Sequence, residues 1–168
     1  MKGPADDFIT RVDAVTDRLA NLARLDTEER TTDPDLDTGE RWEAAQVWSH
    51  IVEFLPYWRE QIDRIREADS EKPIPFGRIK TDPDRIARIE QGRTVPMPEL
   101  WDGAQEELAH VRGYVAELTP EDWARHGRHP KLGVMDMPWI IDRFLVEHLE
   151  EHAEQLESLT NPLPPATG

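Results

Sequence analysis

Residues 136–159 read DMPWIIDRFLVEHLEEHAEQLESL. Ile141, Leu145, Leu149, Leu156 and Leu159 recur at helical spacing, and acids crowd the positions between them. That pattern predicts an amphipathic helix with one apolar face. Asp136 stands where an N-terminal cap accepts backbone N–H groups, with Pro138 just inside the first turn. His148 and His152 are four residues apart and lie on the apolar side, so their rings project from one face, one turn apart. A helix of this length with a continuous apolar stripe needs other helices to cover it.

Three further segments supply them. Ile9, Val12, Val15, Leu19 and Leu22 form a single stripe in a first helix expected over about Asp6 to Leu25. The next stretch, TEERTTDPDLDTGE (27–40), is polar and rich in turn formers and reads as a loop. A second helix follows over about Arg41 to Ala68, with Val47, His50, Ile51, Phe54, Tyr57, Trp58, Ile62 and Ile65 on its stripe. Pro56 lies inside it, but the periodicity keeps its phase on both sides, which predicts a kinked helix rather than two. The third long helix is expected over about Pro98 to Leu118, facing inward through Leu100, Leu108, Val111, Val115 and Leu118.

These elements predict an all-α fold, a four-helix bundle formed by residues 1–160, with the Pro-rich tail 161–168 (NPLPPATG) disordered. The connection 70–98 is long for a bundle and is expected to carry a short helix near Pro83 to Gln91, capped by Asp82. A crossover from one end of the bundle to the other would explain its length. Thr119 is expected to cap a single turn, and no strand-period pattern stands out.

Composition narrows the function. The 168 residues carry 35 acids against 20 bases, a formal net charge of −15. That field repels phosphate backbones and anionic lipid, so neither nucleic acid nor a membrane surface is an expected partner. The absence of cysteine excludes disulfides, Cys-zinc sites and a cysteine nucleophile, and any thiol chemistry must use a thiol brought by a cosubstrate. With no signal-like or membrane-length apolar run, a soluble cytoplasmic protein is expected.

Three of the six histidines, His50, His148 and His152, lie on apolar stripes. Buried neutral imidazoles need partners, and a divalent metal ion satisfies all three at once. Helix arithmetic supports their meeting. His50 lies about 12 Å along its helix from Trp42, and His148 and His152 lie about 10–17 Å from the far end of theirs. If those helices run antiparallel, the three rings share one height. His110 and His126 read as surface or loop residues, and His129 either lines the mouth of the site or finishes a turn. The run HLEEH (148–152) also fits the H-x-x-E-H pattern of inverted zinc proteases, with Glu151 as general base. Five residues in so small a frame carry little weight, and Glu151 is expected to face solvent beside Glu147 and Glu150. Trp48, Trp58 and Trp139 are read as core, and Trp42, Trp101 and Trp123 as packing anchors near helix ends.

The stretches WEAAQVWSHIVEFLPYW (42–58) and GRHPKLGVMDMPWIIDRFLVEHLEEHAEQL (127–156) resemble the DinB-like family of small bacterial metal proteins. That family is similar to the N-terminal domain of mycothiol-dependent maleylpyruvate isomerase and to bacillithiol transferases. The resemblance spans about Asp6 to Leu159 and places His50, His148 and His152 at the family's ligand positions. It implies an up-down-down-up bundle, a homodimer, and a divalent metal that is usually zinc and nickel in some members. It also implies a metal-dependent S-transferase that passes a low-molecular-weight thiol, such as mycothiol, to an electrophilic small molecule. A non-catalytic metal-binding stress or ligand-binding module and a metal-dependent hydrolase stand as alternatives.

Overall fold

In the computed structural model, which describes residues 2–27 and 29–160, four long helical runs enclose one apolar core. They are α1 (Pro4–Leu22), α2 (Ala44–Glu67), α4 (Met97–Glu117) and a composite fourth run. The fourth consists of α6 (Met137–Ile141), a widened π-turn (Asp142–Val146) and α7 (Glu147–Thr160). Short helices α3 (Pro83–Gly92) and α5 (Pro120–Trp123) lie in the connections. The tail 161–168, expected to be disordered, lies outside the described residues.

Polar and ring contacts between helices fix their directions. Arg11 pairs with Glu150 and Arg18 with Glu157, so α1 and α7 ascend together. Arg59 pairs with Glu107 while Tyr114 donates to Asp63, so α2 and α4 are parallel. His50 meets His148 whereas Trp58, eight residues later, stacks on Phe144, so α2 and the fourth run are antiparallel. The result is the expected up-down-down-up bundle. These ion pairs are only partly buried, and pairs open to solvent contribute about 0–1 kcal/mol each. Stability comes from the stripes, in which Val12, Val15, Leu19, Val47, Ile51, Phe54, Leu108 and Leu149 are almost completely buried.

Capping chemistry sets several helix starts. Asp82 accepts from the Arg85 amide at 3.0 Å, Asp136 from the Trp139 amide at 2.9 Å, and Thr119 from the Asp122 amide at 3.2 Å. Helix α2 continues through Pro56 without a break. It begins at Ala44 rather than Arg41, because Trp42 pairs its backbone with Thr32 and closes the loop before it.

The structure adds a small sheet that periodicity did not predict. Strand β1 (Ile74–Pro75) runs parallel to β2 (His126–His129), which pairs antiparallel with β3 (Gly133–Asp136). Gly127 makes it possible, since a Cβ there would fall 2.6 Å from the Phe76 ring. The sheet ties the crossover to the segment entering the fourth helix. Trp139, expected in the core, is 47% exposed, because α6 turns it outward while Ile140 and Ile141 go in.

The crossover also packs α3 against α2. A Cβ on Gly92 would lie 1.9 Å from Ser49 Oγ and 2.4 Å from Ser49 Cβ, a clash that rotating the serine cannot remove. Gly92→Ala is therefore expected to destabilise the protein by about 1–3 kcal/mol through overpacking. Urea unfolding against wild type checks this, and an unchanged midpoint would contradict the close approach.

Candidate metal centre

His50 on α2 and His148 and His152 on α7 converge as the antiparallel arrangement requires. One ring nitrogen from each lies within 4.8 Å of the other two. His50 Nε2 and His148 Nε2 are 3.3 Å apart. Two metal–imidazole bonds of about 2.0–2.1 Å at a tetrahedral angle would place their nitrogens roughly 3.3 Å apart, so this spacing suits a divalent ion. His152 Nε2 is buried and has no hydrogen-bond partner among the described residues, as expected of a lone pair reserved for a ligand.

Two of the three outer nitrogens, those of His50 and His152, have side-chain partners. His50 Nδ1 lies 3.1 Å from Glu53 Oε2, and the other oxygen of Glu53 is ion-paired with Arg78. His152 Nδ1 lies 2.7 Å from Gln155 Oε1. Donation at Nδ1 leaves Nε2 as the lone-pair nitrogen, the tautomer a metal ligand needs. Phe54 stacks on His148 at 4.1 Å between centroids, and Trp42 stands 5.1 Å from His50, so aromatic walls hold the rings.

The electrostatics agree. Burial, the largest cause, pushes His50, His148 and His152 below the usual imidazole range. For His50 the other two rings add to the effect, and His152 is brought down to about 4. Burial penalises a protonated ring, so at neutral pH all three present lone pairs. Glu53 moves the other way, raised by burial, although Arg78 opposes the shift.

The triad forms part of the wall of a cavity of about 700 Å³. Trp42, Trp58 and Phe144 contribute apolar wall, and Arg85, Arg143 and Glu151 contribute charge.

Residues 8–156 of this chain match the DinB superfamily. The chain belongs to that superfamily. Its bundle is similar to that of YfiT from Bacillus subtilis, described as a probable metal-dependent hydrolase with an unusual four-helix bundle topology. The TM-score is 0.70 at 16% identity, over 92% of this chain and 85% of YfiT. It is also similar to the mycothiol-dependent maleylpyruvate isomerase, with a TM-score of 0.68 at 12% identity. That match covers 92% of this chain but only 61% of the isomerase. No curated protein sequence matches it.

His110 and His126 are exposed. His129 does both things considered for it: it borders the cavity, and its Nδ1 accepts from the Lys131 and Leu132 amides at 3.1 and 3.2 Å. Its Nε2 donates to the Arg78 carbonyl at 3.1 Å, so both nitrogens are engaged and the ring is a structural one. Glu151 is exposed, as expected; it also borders the cavity, 3.7 Å from Arg143, and partial burial raises its carboxyl above the usual range. Glu53, Arg78 and Arg85 were not anticipated. The signal for Glu53 is its position three residues after His50 on one helix. Arg78 and Arg85 belong to the crossover, where no periodicity marks them.

Proposed function

We propose that His50, His148 and His152 hold a divalent metal ion, zinc in the first instance, and that the protein is a metal-dependent S-transferase. Its cosubstrate is a low-molecular-weight thiol of the mycothiol type, and its substrate is an electrophilic small molecule. The observation that carries this reading is the convergence of three imidazoles, His50 and His152 buried and His148 half-buried, on a cavity large enough for small molecules. No helix among the described residues is long and apolar enough to cross a membrane. The same reading takes the chain as one bundle unit working in the cytoplasm as a homodimer.

A bound divalent ion would supply Lewis-acid charge that lowers the pKa of a thiol or water brought to it. The protein's own groups do the rest. Burial keeps the three rings neutral, and Glu53, braced by Arg78, fixes the orientation of His50. Trp42 and Phe54 keep water from the backs of the rings, and Trp58 and Phe144 form an apolar wall beside them. With no cysteine in the chain, the sulfur nucleophile comes from the cosubstrate.

Glu151 supports a second reading, metal-assisted hydrolysis. A carboxyl with a raised pKa at the cavity wall is suited to general-base work, and YfiT is described as a probable metal-dependent hydrolase.

Incubating zinc-loaded protein with mycothiol or bacillithiol and monochlorobimane is expected to give conjugation well above a His50→Ala control. No turnover with either thiol would overturn the transferase reading. Ester hydrolysis lost in Glu151→Gln would establish the hydrolase in its place.

A further inference from the structure

We propose that Arg85 is the carboxylate-binding residue of the cavity, and that the molecule it selects is a small carboxylate with an apolar body. The inference deepens the reading of the cavity as a substrate site and rests on it.

Arg85 is buried, with a side chain only 8% exposed, at the start of α3. Its Nη1 donates to the Lys80 carbonyl at 2.7 Å, which fixes the guanidinium, and its plane lies over Trp42 at 5.5 Å. Its ion pair is with Glu40 at 3.7 Å, beyond hydrogen-bond distance. Three other cations around the cavity have close carboxylates. Arg78 is paired with buried Glu53, Lys80 with Asp35 at 2.8 Å and Asp37 at 3.1 Å, and Lys131 with Asp37 at 3.2 Å. Arg143 lies 3.7 Å from Glu151, but it is partly exposed and water can solvate it.

A buried guanidinium without a close anion is costly, and in a chain of net charge −15 the shortfall does not reflect scarcity of acids. Burial outweighs the pull of Glu40 and lowers Arg85 below its ordinary range, which agrees with an incompletely met charge. Trp42 links Arg85 to the triad, its ring 5.5 Å from the guanidinium, 5.1 Å from the His50 ring and 6.0 Å from the His152 ring, so an anion bound at Arg85 lies beside the metal centre. An arginine fork suits a carboxylate, which it can hold through two parallel N–H···O bonds.

The apolar body is read from the mouth. Leu36, Ile79 and Leu132 border the cavity and are 101%, 49% and 40% exposed. These large aliphatic side chains are exposed to water while lining the cavity, and the stacked rings of Trp58 and Phe144 line it too. A ligand with a carboxylate at one end and an apolar remainder would meet both features.

The test uses cinnamate, a carboxylate carrying an electrophilic double bond, against cinnamamide, its neutral isostere. Binding is measured by calorimetry on the full chain, zinc-loaded and chelator-treated. Metal-free wild type is expected to bind cinnamate at least tenfold more tightly than cinnamamide. Arg85→Gln is expected to erase that preference without changing zinc content, and Arg85→Lys to recover part of it. Equal affinity for the two compounds, or a preference that survives Arg85→Gln, overturns the proposal. So does cinnamate binding that needs zinc and ignores Arg85, since the carboxylate would then sit on the ion. If Arg85→Gln does not fold, the wild-type preference together with Arg85→Lys decides the matter. Zinc content across the histidine variants tests the metal centre separately, so the two readings can fail independently.

Discussion

Replacing His50, His148 or His152 by alanine is expected to weaken divalent-metal binding by at least a hundredfold and to leave the purified protein without stoichiometric zinc. Each ring supplies one nitrogen of a cluster whose members lie within 4.8 Å of one another. Binding free energies of about 10–16 kcal/mol are typical where folded protein ligands hold zinc. Losing one of three protein donors then costs several kcal/mol, roughly two to three decades in affinity at 1.4 kcal/mol each. Glu53→Gln is expected to cost less, about 10–100-fold, because it removes the charge behind His50 but keeps an acceptor for Nδ1. Elemental analysis and competition with a chromogenic chelator measure both effects. Wild-type affinity in His50→Ala would mean that the three rings are packed together for structural reasons, and the functional proposal would go with them.

The parts of this protein legible in its sequence are those governed by local periodicity and local capping. Val12, Val15 and Leu19 recur at helical spacing because one face of α1 must be apolar, and Asp82, Thr119 and Asp136 sit at helix starts because their oxygens reach orphan amides. His50, His148 and His152 were legible as a set because each interrupts an apolar stripe, and helix rise alone brings them level. The sheet was not legible. Strands of two to four residues containing Pro75, Gly127 and Gly133 show no apolar–polar alternation in their residue types. Nor was the π-turn at Asp142–Val146, where one extra residue shifts the helix phase by about 100°. That shift accounts for three consecutive buried residues, Phe144, Leu145 and Val146, just before His148. Arg78 and Arg85 owe their places to the crossover folding back over the α2–α7 seam, a long-range event that leaves no mark on neighbouring residues.

Metal-free protein is expected to lose stability steadily as pH falls from about 6.5 toward 4, a range in which an ordinary bundle changes little. Unfolded, His152 takes up a proton near 6.5; folded, it does so only near 4, because burial penalises the charged ring. Between those values unfolding binds a proton, so acid favours the unfolded chain, and the contribution is complete above about 6.5 and lost below about 4. At about 1.36 kcal/mol per pH unit, His152 alone accounts for about 3 kcal/mol. His50 and His148 are lowered too and act with the same sign. Glu53 acts in reverse, since its raised carboxyl takes up a proton before the unfolded chain does, and it offsets part of the loss. Asp35, held down to about 2, releases its contribution only below the usual carboxylate range and does not enter this window. Urea midpoints of chelator-treated protein at pH 7.5, 6, 5 and 4.5 are expected to fall in that order, with a shallower slope in His152→Gln. A wild-type profile as flat as the variant's would show that the triad rings are hydrated and free to protonate in the folded state, and hence that the site is not the dry, neutral one that metal binding requires.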